Sequence, residues 1–158
     1  MSWQGNLIKA GIHSNGTHAR MHGGTNVSQG QFAAKDFLKK LTVTTTDTVG
    51  VTTYTIAQML GGLILRDPNG AGRADLVSTA ALAVAGIKGA KVGDSFEFTI
   101  RNTAGGAETI TVTTATGCTL SGTMTIAQNY SKRFLARLDN VTSGSEAYSI
   151  YSLGTVVH

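Results

Sequence analysis

The chain has 158 residues, of which 41% are hydrophobic and 14% charged, with a net charge of +4 and a single cysteine. That length fits one domain with an appendage, and the lone Cys118 excludes an intrachain disulfide framework. No run of about 18 apolar residues marks a membrane-spanning helix, and Met1-Ser2-Trp3-Gln4-Gly5-Asn6 lacks a basic-then-apolar start, so no signal peptide is expected.

The charge is unevenly placed. Residues 1–40 hold five basic residues (Lys9, Arg20, Lys35, Lys39, Lys40) and one acid, Asp36. Residues 41–158 hold eight of each sign, so the whole net charge lies on the first quarter. Charged residues are also scarce, where a soluble domain ordinarily has roughly 25%. The expectation is a basic arm over 1–40 and a neutral body over 41–158, with much of the body's surface buried against copies of itself or a partner.

In chain order, residues 1–32 are rich in glycine, whose ordering is entropically costly, so an extended, flexible arm is expected. Trp3, Leu7, Ile8 and Ile12 are its apolar anchors before Val27 and Phe32. A short helix or turn is expected at 33–40. Strands follow at 41–46, 51–56 and 63–66, then a turn at Asp67-Pro68-Asn69-Gly70. One short helix is expected over 79–86, capped by Ser78 or Thr79, and buried because its residues are small and apolar on every side.

The clearest strand is 94–102, where Phe96, Phe98 and Ile100 alternate with Glu97, Thr99 and Arg101. Further strands are expected at 107–114, 119–126, 132–139 and 146–153. Thr103-Ala104-Gly105-Gly106 reads as a hairpin loop, and so does the stretch from Asp139 to Gly144. Thr-Ile-Ala-Gln occurs twice, at 55–58 and 125–128, and is read as chance rather than duplication. The pattern predicts an all-β fold, mainly antiparallel, with one short helix.

Catalysis needs reactive groups converging on a site, and the sequence offers no such constellation. Gly-X-Ser-X-Gly, His-Glu-X-X-His and paired Cys-X-X-Cys are absent. The segment Gly86–Gly93 lacks the Gly-Lys-Ser/Thr of a phosphate loop and reads as a turn. His13, His18 and His22 cluster in the arm with no accompanying carboxylate or cysteine. They read as solvated or partner-facing, with a metal at an oligomer axis left open. The acids read as surface ion pairs, Glu97 with Arg101, Arg133 or Arg137. No enzyme activity and no cofactor are expected. Five cations spread over 40 residues, with only Trp3, Phe32 and Phe37 to stack on bases, favour a protein partner over nucleic acid.

Three segments carry a resemblance: Thr55–Gln58 through Gly61-Gly62-Leu63-Ile64-Leu65-Arg66-Asp67-Pro68, Asp94–Asn102, and Leu120–Asn129. With the closing stretch from Val141 to Thr155, they resemble capsid decoration (cement) proteins of tailed bacteriophages and related head or fibre components. The resemblance covers roughly residues 50–156 and not the arm. It implies a jelly-roll-like β-sandwich that forms a homotrimer on the outside of a capsid, without catalytic residues. The expected partners are then the major capsid protein and other copies of the chain, not nucleic acid or membrane, and the expected location is the virion exterior. Trp3, Leu7 and Ile8 would anchor the arm in grooves, with Lys9 and Arg20 meeting acidic patches. The competing expectation is a trimeric fibre or receptor-binding knob that recognises host glycans through Tyr54, Tyr130, Tyr148 and Tyr151.

Overall fold

The computed structural model describes residues 40–158 and, before them, only the backbone of two short antiparallel strands, β1 (His18–Ala19) and β2 (Val27–Ser28). The chain divides into two units, Met1–Lys40 and Leu41–His158. The expected turn or helix at 33–40 lies, apart from Lys40, outside the described residues.

The second unit is rich in β structure. Its elements run β3 (Thr42–Thr46), α1 (Ile56–Gly61), β4 (Gly62–Arg66), β5 (Arg73–Leu76), α2 (Ala80–Gly86), β6 (Ser95–Asn102), β7 (Ile110–Thr113), β8 (Cys118–Ser121), β9 (Thr125–Ile126), β10 (Tyr130–Asn140) and β11 (Ala147–Val157). They form a six-stranded sheet, ordered β3-β4-β6-β10-β11-β8, and a three-stranded sheet, ordered β5-β7-β9.

The sheets are mixed, where mainly antiparallel pairing was expected. The pairs β3–β4, β4–β6, β11–β8 and β5–β7 are parallel, whereas β6–β10, β10–β11 and β7–β9 are antiparallel. Parallel neighbours need a long crossover. The stretch between β3 and β4 supplies one and holds α1, a second helix that the sequence reading did not expect. Thr55 caps α1, accepting from the Gln58 amide while Gln58 Oε1 accepts from the Thr55 amide at 2.8 Å. Gly62, at φ 100°, ends the helix in the left-handed region. The expected strand at 51–56 is thereby reduced to a single bridge, Thr53 to Leu76.

Three other expectations are corrected. The strand expected at 119–126 is broken at Gly122, whose φ of 94° turns the chain from β8 in one sheet to β9 in the other. Thr103–Gly106 is not a hairpin loop, because β6 and β7 belong to different sheets and the loop carries the chain between them. Helix α2, capped by Thr79, buries only Ala80 and Ala83, while Ala81, Leu82 and Ala85 are exposed. The two copies of Thr-Ile-Ala-Gln differ in structure, one opening α1 and the other lying in and after β9.

The core lies on one face of the six-stranded sheet. Ile64, Phe98, Ile100, Phe134, Ala136 and Ile150 point to it from the larger sheet. Ile110, Val112 and Ile126 meet them from the smaller one, and Tyr54, Met59, Val77 and Ala83 complete the same cluster. Phe98 and Phe134, register partners on β6 and β10, stack with centroids 5.2 Å apart.

Two adjacent buried polar side chains close the seam between the sheets. Arg66 on β4 and its neighbour Asn102 on β6 are both fully buried. Arg66 Nε donates to Asp75 Oδ2 on β5 at 2.8 Å and Nη2 to Asp75 Oδ1 at 3.3 Å. The other guanidinium protons go to the carbonyls of Thr48, Asp67 and Gly50. Asp75 in turn accepts from Tyr54 Oη at 2.7 Å and from the Thr52 amide at 3.0 Å. Asn102 donates to the carbonyls of Glu108 and Ile126 and accepts from the Ala104 amide. Removing one member of a buried ion pair leaves an uncompensated charge. Asp75→Ala is therefore expected to cost about 3–5 kcal/mol in urea unfolding, and Tyr54→Phe, which removes one hydroxyl, about 1–2 kcal/mol.

Candidate docking surface

The polar groups inside the body serve the fold. Burial, followed by the neighbouring Asp75 carboxylate, pushes the Tyr54 phenol well above its ordinary pKa, so it stays a neutral donor to Asp75. Tyr148 is pushed up the same way, by burial first, and its hydroxyl donates to the Ser78 carbonyl at 2.5 Å. Burial also raises the Cys118 thiol, which keeps it protonated and poorly nucleophilic. Among the described residues no group of three or more His, Cys, Asp or Glu is placed to hold a metal ion, and no helix is long and apolar enough to cross a membrane.

The outer face of the six-stranded sheet is different. Side chains opposite one another in register share a face, and two rows cross the sheet on the side away from the core. One runs Val43, Leu63, Thr99, Arg133, Gly154, and the next Thr45, Leu65, Arg101, Ser131, Val156. A third, shorter row places Glu97 beside Leu135, Tyr151 and Ser121. Inner-face residues such as Ile64, Ile100 and Phe134 are fully buried, yet Val43 is 53% exposed and Val156 59%. Leu63, Leu65 and Leu135 are only half-buried. This apolar surface is crossed by charges that largely neutralise one another. Arg133 lies 3.7 Å from Glu97, one of the pairings expected from the sequence, and Arg137 is bonded to Asp139 at 2.5 Å. Both pairs are solvent-exposed and add little stability.

At one edge of this face Gly154 contributes no side chain and leaves a hollow of about 310 Å³, bordered by Thr99, Ser131, Arg133, Leu153 and Val156. The hollow is open to solvent and lacks the convergent buried polar groups of an enclosed ligand site.

No family model, curated protein or solved structure matches the chain. The surface therefore has to be read from its own chemistry. Trp3, Leu7, Ile8, Lys9 and Arg20, expected as arm anchors, lie outside the described residues, as do His13 and His22. His18 falls in β1, where only the backbone is described. Of the four tyrosines considered for glycan stacking, Tyr54 and Tyr148 are core residues with bonded hydroxyls and Tyr130 is half-buried. Tyr151 stands on the outer face, 38% exposed. Sequence patterning led to the expectation of covered body surface and singled out Leu135 as a break in the polar side of its strand, but did not assemble this face. Its signal was the pair Leu63 and Leu65 on β4 and Leu135 on β10, apolar residues at the positions that alternation assigns to solvent.

Lys132 lies between Ile100 and Thr155 on the core side, 4% exposed, with its ammonium donating to the Thr123 carbonyl at 2.7 Å. Burial lowers its pKa below the ordinary lysine value. The unfolded chain then binds more protons than the folded one between the lowered pKa and the unfolded value of about 10.4. The burial penalty is complete below the lowered pKa and fades as pH rises through this window. The urea stability of the protein measured against Lys132→Met is therefore expected to increase as pH is raised toward the unfolded lysine value of about 10.4.

Proposed function

We propose that this chain is a structural virion protein, a capsid decoration or cement protein that binds the outside of an assembled capsid as a homotrimer and stabilises it through its N-terminal arm. The observation that carries the reading is the outer face of the six-stranded sheet, where Val43, Tyr151 and Val156 are exposed and no other described element packs on them. Exposed Val43, Tyr151 and Val156 beside half-buried Leu63, Leu65 and Leu135, among charges that nearly cancel, suit an interaction surface. The arm adds the charge that the body lacks, with four basic residues and one acid before Lys40.

On this reading the function is stapling. A ligand that binds the assembled shell and not its dispersed subunits stabilises the shell by mass action, and three arms held on one oligomer act with avidity. The jelly-roll-like sandwich belongs to the same proposal. Two sheets sharing one core supply its layers, and the parallel run β3-β4-β6 with the parallel pairs β11–β8 and β5–β7 are its departures from the usual antiparallel pattern. The alternative, a fibre or receptor-binding knob recognising glycans, retains Tyr151 and the half-buried Tyr130 as stacking surfaces.

Co-sedimentation with mature capsids that lack the protein tests the reading. Saturable binding that makes capsids harder to disrupt is expected of the full chain. A form without residues 1–32 is expected to keep the body's cooperative unfolding and lose the binding. Retained binding by the shortened form removes the arm from the mechanism, and adsorption to host cells without capsid binding moves the function to the fibre reading.

A further inference from the structure

Among the described residues the six-stranded sheet has two free edges. At one end β3 bonds to β4 on one side and, among the described residues, to no strand on the other. At the far end β8 covers β11 only from Tyr148 to Tyr151, so among the described residues Ser152–Val157 pairs with β10 alone. The open segments are Thr42-Val43-Thr44-Thr45-Thr46 and Ser152-Leu153-Gly154-Thr155-Val156-Val157. They match in length, five residues against six, and neither contains a charge or a proline. Natural sheets blunt free edges with lysine, proline, bulges or cover; β3 shows none of these among the described residues, and β11 has only the register shift at Leu153, which leaves Gly154–Val157 in regular register with β10. Val43, Leu153, Val156 and Val157 are all exposed beside these unpaired backbones.

We propose that copies of this chain join head to tail by strand pairing, the free half of β11 in one copy adding to β3 of the next. The proposal rests on the homotrimer reading above and identifies its interface. A second copy fits better than a charged partner, because neither edge offers a charge to recognise one. Head-to-tail joining fits better than a two-fold dimer. A two-fold pairs like with like and leaves the other edge of each sheet open, whereas a ring closes both edges at once.

The strand directions are compatible with a ring. β3 runs parallel to β4 and β6, and β11, two antiparallel steps beyond β6, runs the same way. Rotation about an axis along the strands therefore gives a parallel β11–β3 ladder, the same relation that each strand already has with β8 or β4. The hollow at Gly154 adjoins this junction and leaves room for a side chain of the neighbouring copy.

The test uses two full-length variants, Val43→Lys and Val156→Lys, each placing a charge at an exposed position on one edge. Mass is read by light scattering, and the fold is checked by far-UV circular dichroism and urea unfolding. The unaltered chain is expected at three times 16.4 kDa, and each variant alone as a folded monomer. Mixed together, the variants each retain the edge that the other has lost, so the mixture is expected to form a dimer of twice 16.4 kDa and grow no further. An unaltered chain that is monomeric at all concentrations overturns the proposal, as does a mixture that stays monomeric. A variant that still self-associates by itself also overturns it, because head-to-tail growth needs both edges. Capsid co-sedimentation on the same samples separates the two readings: a monomer that binds capsids defeats only the edge pairing, and a ring that ignores them defeats only the cement function.

Discussion

The body depends on the salt link between Arg66 and Asp75. Arg66 belongs to the larger sheet and Asp75 to the smaller, so the pair fixes how the two sheets meet. A buried guanidinium is tolerable only when its protons are met, and here all five are: two by Asp75 and three by backbone carbonyls of residues 48, 50 and 67. These carbonyls belong to the segment leading out of β3 and to the turn after β4. One side chain therefore orders two connections that have little apolar content of their own. Asn102, next to it on β6, does the same for the loop into β7 and for β9. Specific hydrogen bonds at this seam give the sheets a fixed relative placement, which the non-directional packing of Ile, Val and Phe alone does not impose.

With the inner face spoken for, the outer face inherits a composition that solvent does not demand. Thr, Ser and half-buried leucines replace many of the charges that normally cover an exposed sheet, and four of the charges present lie in two ion pairs, Arg133 with Glu97 and Arg137 with Asp139. The body therefore has no electrostatic reason to keep its copies apart. On the proposed reading, segregating the positive charge in residues 1–40 lets the neutral bodies approach one another while the basic segment is left for an acidic partner.

Much of this fold is written in local patterns. The alternation of Phe96, Phe98 and Ile100 located β6 and its buried face, and the Thr79 cap located α2 within a residue. Helix α1 was misread because Val51, Thr52, Thr53, Tyr54 and Ile56 favour strands, although the Thr55–Gln58 capping box was present to be seen. Periodicity also says nothing of partners. Nothing local reveals that β3, β4 and β6 run parallel, or that Thr103–Gly106 changes sheets, since those relations are set by contacts distant in the chain. Arg66 illustrates the limit: as a basic residue at a strand end before a turn it looks solvated, and its burial follows from an aspartate nine residues away on another sheet. For the docking surface, Leu63, Leu65 and Leu135 were legible as apolar residues on a polar face, but their common surface exists only once β4, β6 and β10 are side by side.

Edge pairing and arm docking make different demands on binding energy. Strand pairing between neutral edges relies on backbone hydrogen bonds and a few valines, so it is largely insensitive to salt. A contact made by lysine and arginine side chains weakens as ionic strength rises, because exposed charges are screened beyond roughly 8–10 Å at physiological salt. On the proposed reading the ring therefore persists under conditions that loosen each arm. That ordering suits a cement. Weak individual arms can find their sites and correct misplacement, while the ring keeps three of them together, so that release requires all three to let go at once.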